Sequence, residues 1–167
     1  IVHPERYWRN VGAVVDDLLV LTKPIGSGVL FNANLKGWVS PEALKACLET
    51  VSTLNRTACE AASAFDIHAA TDITGFGLAG HGLEMAKGSG VMLDIDVSAV
   101  PVMEEALDMY QKGMTTGANA ENRALLEGDT RFGAGLPAWN QEIFVDPQTS
   151  GGLLFSLERA QAKSLLA

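Results

Sequence analysis

The sequence predicts an α/β domain of three layers, with helices packed on both faces of a mixed β-sheet. Three observations lead there. Short apolar runs bounded by turn residues alternate with amphipathic stretches through most of the chain, as in layered α/β domains. The 167 residues are enough for one well-buried domain. Apolar residues at 47% and charged residues at 19% exclude a disordered chain.

Residues 1–16 hold His3, Pro4, Tyr7 and Trp8 among mixed charges with no sustained period, and read as a connector or the end of an upstream domain. Residues 17–167 are then the domain proper. Leu18 to Thr22 is an apolar run between Asp16-Asp17 and Lys23-Pro24, hence a strand. Lys23-Pro24-Ile25-Gly26-Ser27-Gly28 forces a turn before a second apolar piece, Val29 to Phe31. That turn is either hairpin-like or a small-residue loop that approaches a ligand. Ser40-Pro41-Glu42 starts a helix: an N-cap hydroxyl, proline at the first position, and an acid at the positive end of the dipole. Leu44, Cys47, Leu48, Val51, Leu54, Ala58, Ala61, Ala62 and Phe65 continue it at spacings of three and four, one long helix closed by Asp66.

Ile67 to Ala70 reads as a short strand that enters a polar turn, Thr71-Asp72-Ile73-Thr74-Gly75, and a helix from Phe76 to Lys87. Apolar residues at every odd position of 91–97 make that segment the clearest half-buried strand. Pro101 opens a helix to Lys112, stopped by Gly113. Residues 113–141 are rich in Gly, Thr and Asn, with a short helix over Asn119–Glu127. Glu142 to Val145 is a strand, Asp146 to Gly152 a polar turn, Leu153 to Leu157 a strand, and a last helix runs on to Ala167.

The net charge of −8 with 12 Lys and Arg argues against a nucleic-acid partner. An acidic chain still binds a polyphosphate when a divalent cation lies between, which keeps a magnesium nucleotide open. No apolar run approaches the roughly 20 residues of a membrane span. Cys47 and Cys59, placed on one helix, would stand about 18 Å apart and could not pair. They read as buried structural thiols in a reducing, cytoplasmic setting.

Asp72 is the best candidate for chemistry. A carboxylate beside a glycine turn at a strand end suits Mg²⁺, which takes one or two protein carboxylates plus phosphate oxygens and water. The alternative is that Asp72 caps the next helix through the N–H groups of Thr74 or Gly75. Thr71, Thr74, Gly75 and Gly77 are the candidate phosphate-side groups, although turn and capping roles suit both threonines. His68 and His81 flank the turn without the further ligands that a zinc site needs. His81 reads as structural or as a helper near a phosphate. Asp146-Pro147-Gln148-Thr149-Ser150-Gly151-Gly152 is a second turn of the same kind, and two such turns after apolar strands point to one shared pocket.

Three stretches, Leu21 to Gly28, Ala69 to His81 and Asp146 to Leu154, closely resemble the selenophosphate synthetase (selenide, water dikinase) family, in that family's order and across essentially the whole chain. That family lies in the wider superfamily of aminoimidazole ribonucleotide synthetase. The resemblance implies the C-terminal domain of a two-domain, homodimeric enzyme that makes selenophosphate from selenide, ATP and water, releasing AMP and orthophosphate. It implies several magnesium-holding aspartates, of which Asp72 alone matches here. The nucleophilic Cys or selenocysteine and its lysine are expected upstream, and neither Cys47 nor Cys59 stands in a matching motif. By the same resemblance the family's last strand is expected beyond Ala167, and the chain alone is expected to be inactive. The alternatives are another ATP-dependent member of the superfamily, such as a thiamine monophosphate kinase or hydrogenase-maturation protein, or a non-catalytic interaction domain.

Overall fold

The computed structural model describes residues 7–166, so the sequence readings that involve His3, Pro4 and Ala167 lie outside the described residues. Strand β1 covers Leu18–Leu21, β2 Ile67–Asp72 and β3 Leu153–Leu157, in the order β1-β3-β2. Both pairings are antiparallel, Leu21 opposite Leu154 and Asp72 opposite Leu153, so among the described strands the sheet is not the mixed one expected. The helices are α1 Ser27–Asn34, α2 Pro41–Ser52, α3 Arg56–Ala62, α4 Gly77–Ser89, α5 Ala106–Gln111, α6 Asn119–Leu125, α7 Ala138–Gln141 and α8 Arg159–Leu165, with 3₁₀ turns at Val97–Ala99 and Glu142–Phe144.

The three layers follow from strand alternation. Leu19, Leu21, Ala69 and Leu154 face a large core with Val29 and Leu30 of α1, Leu78 and Met85 of α4, and Met109 of α5. Val20, Ala70, Phe155 and Leu157 face a smaller core with Ala62 of α3 and Ala162 of α8. Ile67 belongs to this second face although it lies three residues from Ala70. A bulge between Ile67 and Ala69 absorbs the extra residue and restores the parity. Residues before β1 pack on the same body: Trp8 meets Phe155 edge-on at 5.4 Å, the Ala70 N–H donates to the Arg9 carbonyl, and the Ser89 hydroxyl accepts from the N–H groups of Gly12 and Ala13.

Several expectations are corrected. Val29 to Phe31, the second apolar piece, is helical and lies inside α1, so the turn before it is not hairpin-like. Its first N–H groups are satisfied by side chains far away in sequence, and Gly26 before it takes φ 124°, where a Cβ would sit 2.6 Å from that of Ala106. The expected long helix breaks at Thr53, which is extended, because the Thr53 carbonyl and the Asn55 amide are engaged by other loops. Cys47 and Cys59 therefore lie on two helices, the first buried and the second exposed, both free. Residues 91–96 keep the expected alternation of half-buried and exposed side chains, while Val97 is exposed, and the segment forms no ladder among the described residues. Pro101 does not open α5, since residues 101–103 pair with Ile25 in a parallel bridge. Glu142 to Val145 is not a strand but the 3₁₀ continuation of α7. As expected, the Ser40 hydroxyl caps α2 by accepting from the Ala43 N–H at 3.1 Å. Among the described residues no helix is long and apolar enough to cross a membrane.

Candidate functional site

The loop after the 3₁₀ turn, residues 146–152, is the hub of one end of the sheet. The carboxylate of Asp146 is fully buried and accepts four hydrogen bonds: from the N–H groups of Gly28 at 3.0 Å and Val29 at 2.8 Å, the Tyr110 hydroxyl at 2.6 Å and the Gln148 amide at 2.8 Å. It thus caps α1 from across the molecule, where free N–H groups and the helix dipole favour a negative charge. The Gln148 carbonyl oxygen accepts from the N–H groups of Gly26 and Ser27 and from the Ser27 hydroxyl. Burial pushes the Asp146 carboxyl up to about 6 against the lowering effect of these donors, and burial followed by the Asp146 charge raises Tyr110. Burial and then the same charge push the Cys47 thiol up to about 11.

The other flank of the hub is the Asp72 turn. The Gln148 N–H donates to the Thr74 carbonyl at 2.9 Å and the Ile73 N–H to the Gly152 carbonyl at 2.8 Å. Asn122 donates its amide to the carbonyls of Gly75 at 2.7 Å and Val145 at 2.9 Å. The Lys23 ammonium, 7% exposed and lowered in pKa by burial, donates to the carbonyls of Thr53 and Ser150, each at 2.7 Å. Three loops far apart in sequence, residues 23–28, 71–75 and 146–152, are one hydrogen-bonded unit.

At the end of β2 the exposed Asp72 carboxylate takes no hydrogen bond among the described residues, and α4 has no side-chain cap, so the capping role is not adopted. Thr71 donates only to the Asp72 carbonyl at 3.2 Å. The Thr74 hydroxyl lies 3.1 Å from His81 Nε2, whose Nδ1 faces Glu84 at 3.2 Å, so the buried His81 supports the turn. Gly75 is exposed, with nothing within 4 Å of where its Cβ would be. Gly77 is turned inward: its Cβ would meet the Phe144 carbonyl at 2.8 Å, so it serves the junction with the 146–152 loop rather than an open face. His68 lies at the far end of β2, Nδ1 2.8 Å from Asp17, which also accepts from the Ser156 hydroxyl at 2.7 Å. Burial would raise the Asp17 carboxyl, but the donors Ser156, Val14 and His68 outweigh it and hold it low. This cluster is separate from the candidate site.

Gly75, Thr149 and Ser150, on the two turns that are bonded to each other around Ile73, are exposed, as Asp72 is. Among the described residues no three His, Cys, Asp or Glu side chains converge on one point, so a divalent cation at Asp72 would take a single carboxylate from this chain and its other ligands from phosphate oxygens, water or carboxylates elsewhere. A cleft of about 860 Å³ between α4 and residues 90–97 and 128–133 contains none of the candidate residues. Sequence reasoning missed Asn55, Asn122 and Tyr110, whose partners are too distant in sequence for any local pattern to show them.

Comparison with known proteins agrees with this architecture. A selenide, water dikinase of Treponema denticola is 39% identical over 164 residues, covering 98% of this chain and 46% of that protein. One from Burkholderia pseudomallei is 40% identical over 167 residues, 100% of this chain and 47% of that protein. The chain thus spans about half the length of these relatives. The crystal structure of a thiamine-monophosphate kinase from Stenotrophomonas maltophilia superposes with a TM-score of 0.64 at 18% identity, over 99% of this chain and 46% of that one, a likeness of fold. The family model described as AIR synthase related protein, C-terminal domain, matches residues 14–167, and the chain belongs to that family.

Proposed function

We propose that this chain is the C-terminal half of a selenophosphate synthetase, which makes selenophosphate from selenide, ATP and water and releases AMP and orthophosphate. The observation that carries the reading is the 39–40% identity, over nearly all of this chain, to proteins named selenide, water dikinase. Asp72 supplies one magnesium ligand, and Thr71, Thr74 and Gly75 stand on the phosphate side. Magnesium would neutralise the phosphates, and the protein groups here position them, which is what phosphoryl transfer asks of a protein. The nucleophile and its lysine belong to the other half, so residues 17–167 alone are inactive and the working unit is a two-domain homodimer. Two free thiols are in keeping with a reducing, cytoplasmic setting.

The test is ATP consumption with selenide by the full-length protein and by this chain. Asp72→Asn in the full-length protein is expected to weaken magnesium affinity and lower turnover. Normal values of both would remove the metal role, and turnover by this chain near the full-length rate would remove the half-site reading.

A further inference from the structure

Ser150 has φ 46°, the left-handed region that a Cβ disfavours. Its neighbours impose that conformation. The buried Lys23 ammonium holds the Ser150 carbonyl, and the Asn55 amide holds the Gly151 carbonyl at 2.8 Å. Gly151 lies so flat on Ile73 that a Cβ would collide with the Ile73 carbonyl. With Gln148 bonded to Thr74 and Gly152 to Ile73, the loop arches over Ile73, the residue between Asp72 and Thr74. Thr149 and Ser150 are exposed at the crown, and the Ser150 hydroxyl has no hydrogen-bond partner among the described residues. Glycine would take this backbone without strain; serine adds only a hydroxyl, on a loop that crosses Ile73, the residue after Asp72. Held strain of this sort belongs to sites where a group must be aimed.

We propose that Ser150 is a phosphate-binding residue of the Asp72 site, its hydroxyl donating to an oxygen of the polyphosphate, and that Lys23 is the positioning residue that aims it. The inference rests on the synthetase reading. In the full-length protein, Ser150→Ala is expected to lower kcat/KM for ATP by about ten- to a hundredfold, the range for a lost hydrogen bond to a charged group, at unchanged Tm. Ser150→Gly relaxes the backbone but loses the hydroxyl, and is expected to show the same loss with equal or higher Tm. Lys23→Met is expected to lower kcat/KM as well, and the double variant Lys23→Met with Ser150→Ala to lose no more than the worse of the two singles, since one acts through the other. Multiplying losses in the double variant would overturn the positioning role. Wild-type kcat/KM in Ser150→Ala beside an impaired Asp72→Asn would overturn the Ser150 role and leave the synthetase reading standing. Calorimetry with magnesium and ATP separates the remaining cases. Binding weakened by Ser150→Ala in a protein that does not turn over selenide keeps the phosphate role and removes the reading; unchanged binding in both Ser150→Ala and Asp72→Asn overturns both.

Discussion

Asp146→Asn is the substitution whose cost the structure defines best. The carboxylate meets four donors, two on each oxygen: Gly28 and Gln148 on Oδ2, Val29 and Tyr110 on Oδ1. An amide nitrogen at Oδ2 would face two groups that can only donate there, because Gln148 is fixed by the three donors on its own carbonyl oxygen. At Oδ1 it would meet the Tyr110 hydroxyl, which can turn and accept, and the Val29 N–H, which cannot. Asparagine therefore settles in the second orientation and orphans one buried N–H at the start of α1. The orphan costs about 1–3 kcal/mol and weakened bonds to a neutral acceptor add to it, while release from burying a charge offsets part, leaving about 2–4 kcal/mol. In a chain of this size that lowers Tm by on the order of 10 °C. The pH dependence is a second readout. The folded carboxyl, at about 6, lies above the ordinary aspartate value of 3.8, so between these values the folded chain holds a proton that the unfolded chain has released. This group's contribution to stability is full below about pH 4, falls as pH rises and is lost above about pH 6, a change of about 3 kcal/mol. Thermal and urea unfolding from pH 4 to 7 should show that slope in the wild type and not in Asp146→Asn. A variant that melts within about 2 °C of wild type with the same pH slope would refute the cap and its energetics.

Gly151→Ala drives a Cβ into the Ile73 carbonyl and must part the two loops; the full-length protein should lose both thermal stability and ATP turnover, and an unchanged Tm would mean the loops are not locked together. Native labelling with a thiol reagent should modify Cys59 alone, with the buried Cys47 reacting only after unfolding. Mass spectrometry of the labelled peptides would expose an error if Cys47 reacted at a comparable rate in the native protein.

What was legible in the sequence follows the range of the interactions. Leu18–Leu21 and Leu153–Leu157 are continuous apolar runs between turn residues, and they are strands as expected. The Ser40-Pro41-Glu42 start acts within four residues, so the head of α2 was readable. The helix over the run from Val29 was not legible because α1 begins only where Asp146 and Gln148 cap it, over a hundred residues later. The helix break at Thr53 was hidden for the same reason: the apolar period continues through it, and what stops the helix is the claim of Lys23 and Gly151 on Thr53 and Asn55. Residues 91–97 show the converse. Alternation predicted the burial of the side chains from Val91 to Asp96 correctly and failed at the exposed Val97, and a strand also needs a neighbour, which alternation does not encode.

At the site, Asp72 was readable as a carboxylate at a strand end, whereas the division of labour between the two acidic turns was not. Both have an aspartate near glycines, and only the fold makes one of them a buried cap with four donors and leaves the other exposed, with no partner among the described residues. The same division bears on magnesium. Lys23 stands nearest the turn in the hub, but its ammonium is buried and directed at two carbonyls, so it does not offer its charge to a ligand on the exposed face. Arg123 is bonded to Glu142, and Lys87 is paired with Asp129. A polyphosphate that approaches a chain of net charge −8 thus meets hydroxyls, backbone and a carboxylate rather than a free cation of this hub. Carboxylate and phosphate repel unless a cation lies between them, and on the proposed reading Mg²⁺, which accepts one protein carboxylate with phosphate oxygens and water, would resolve that conflict.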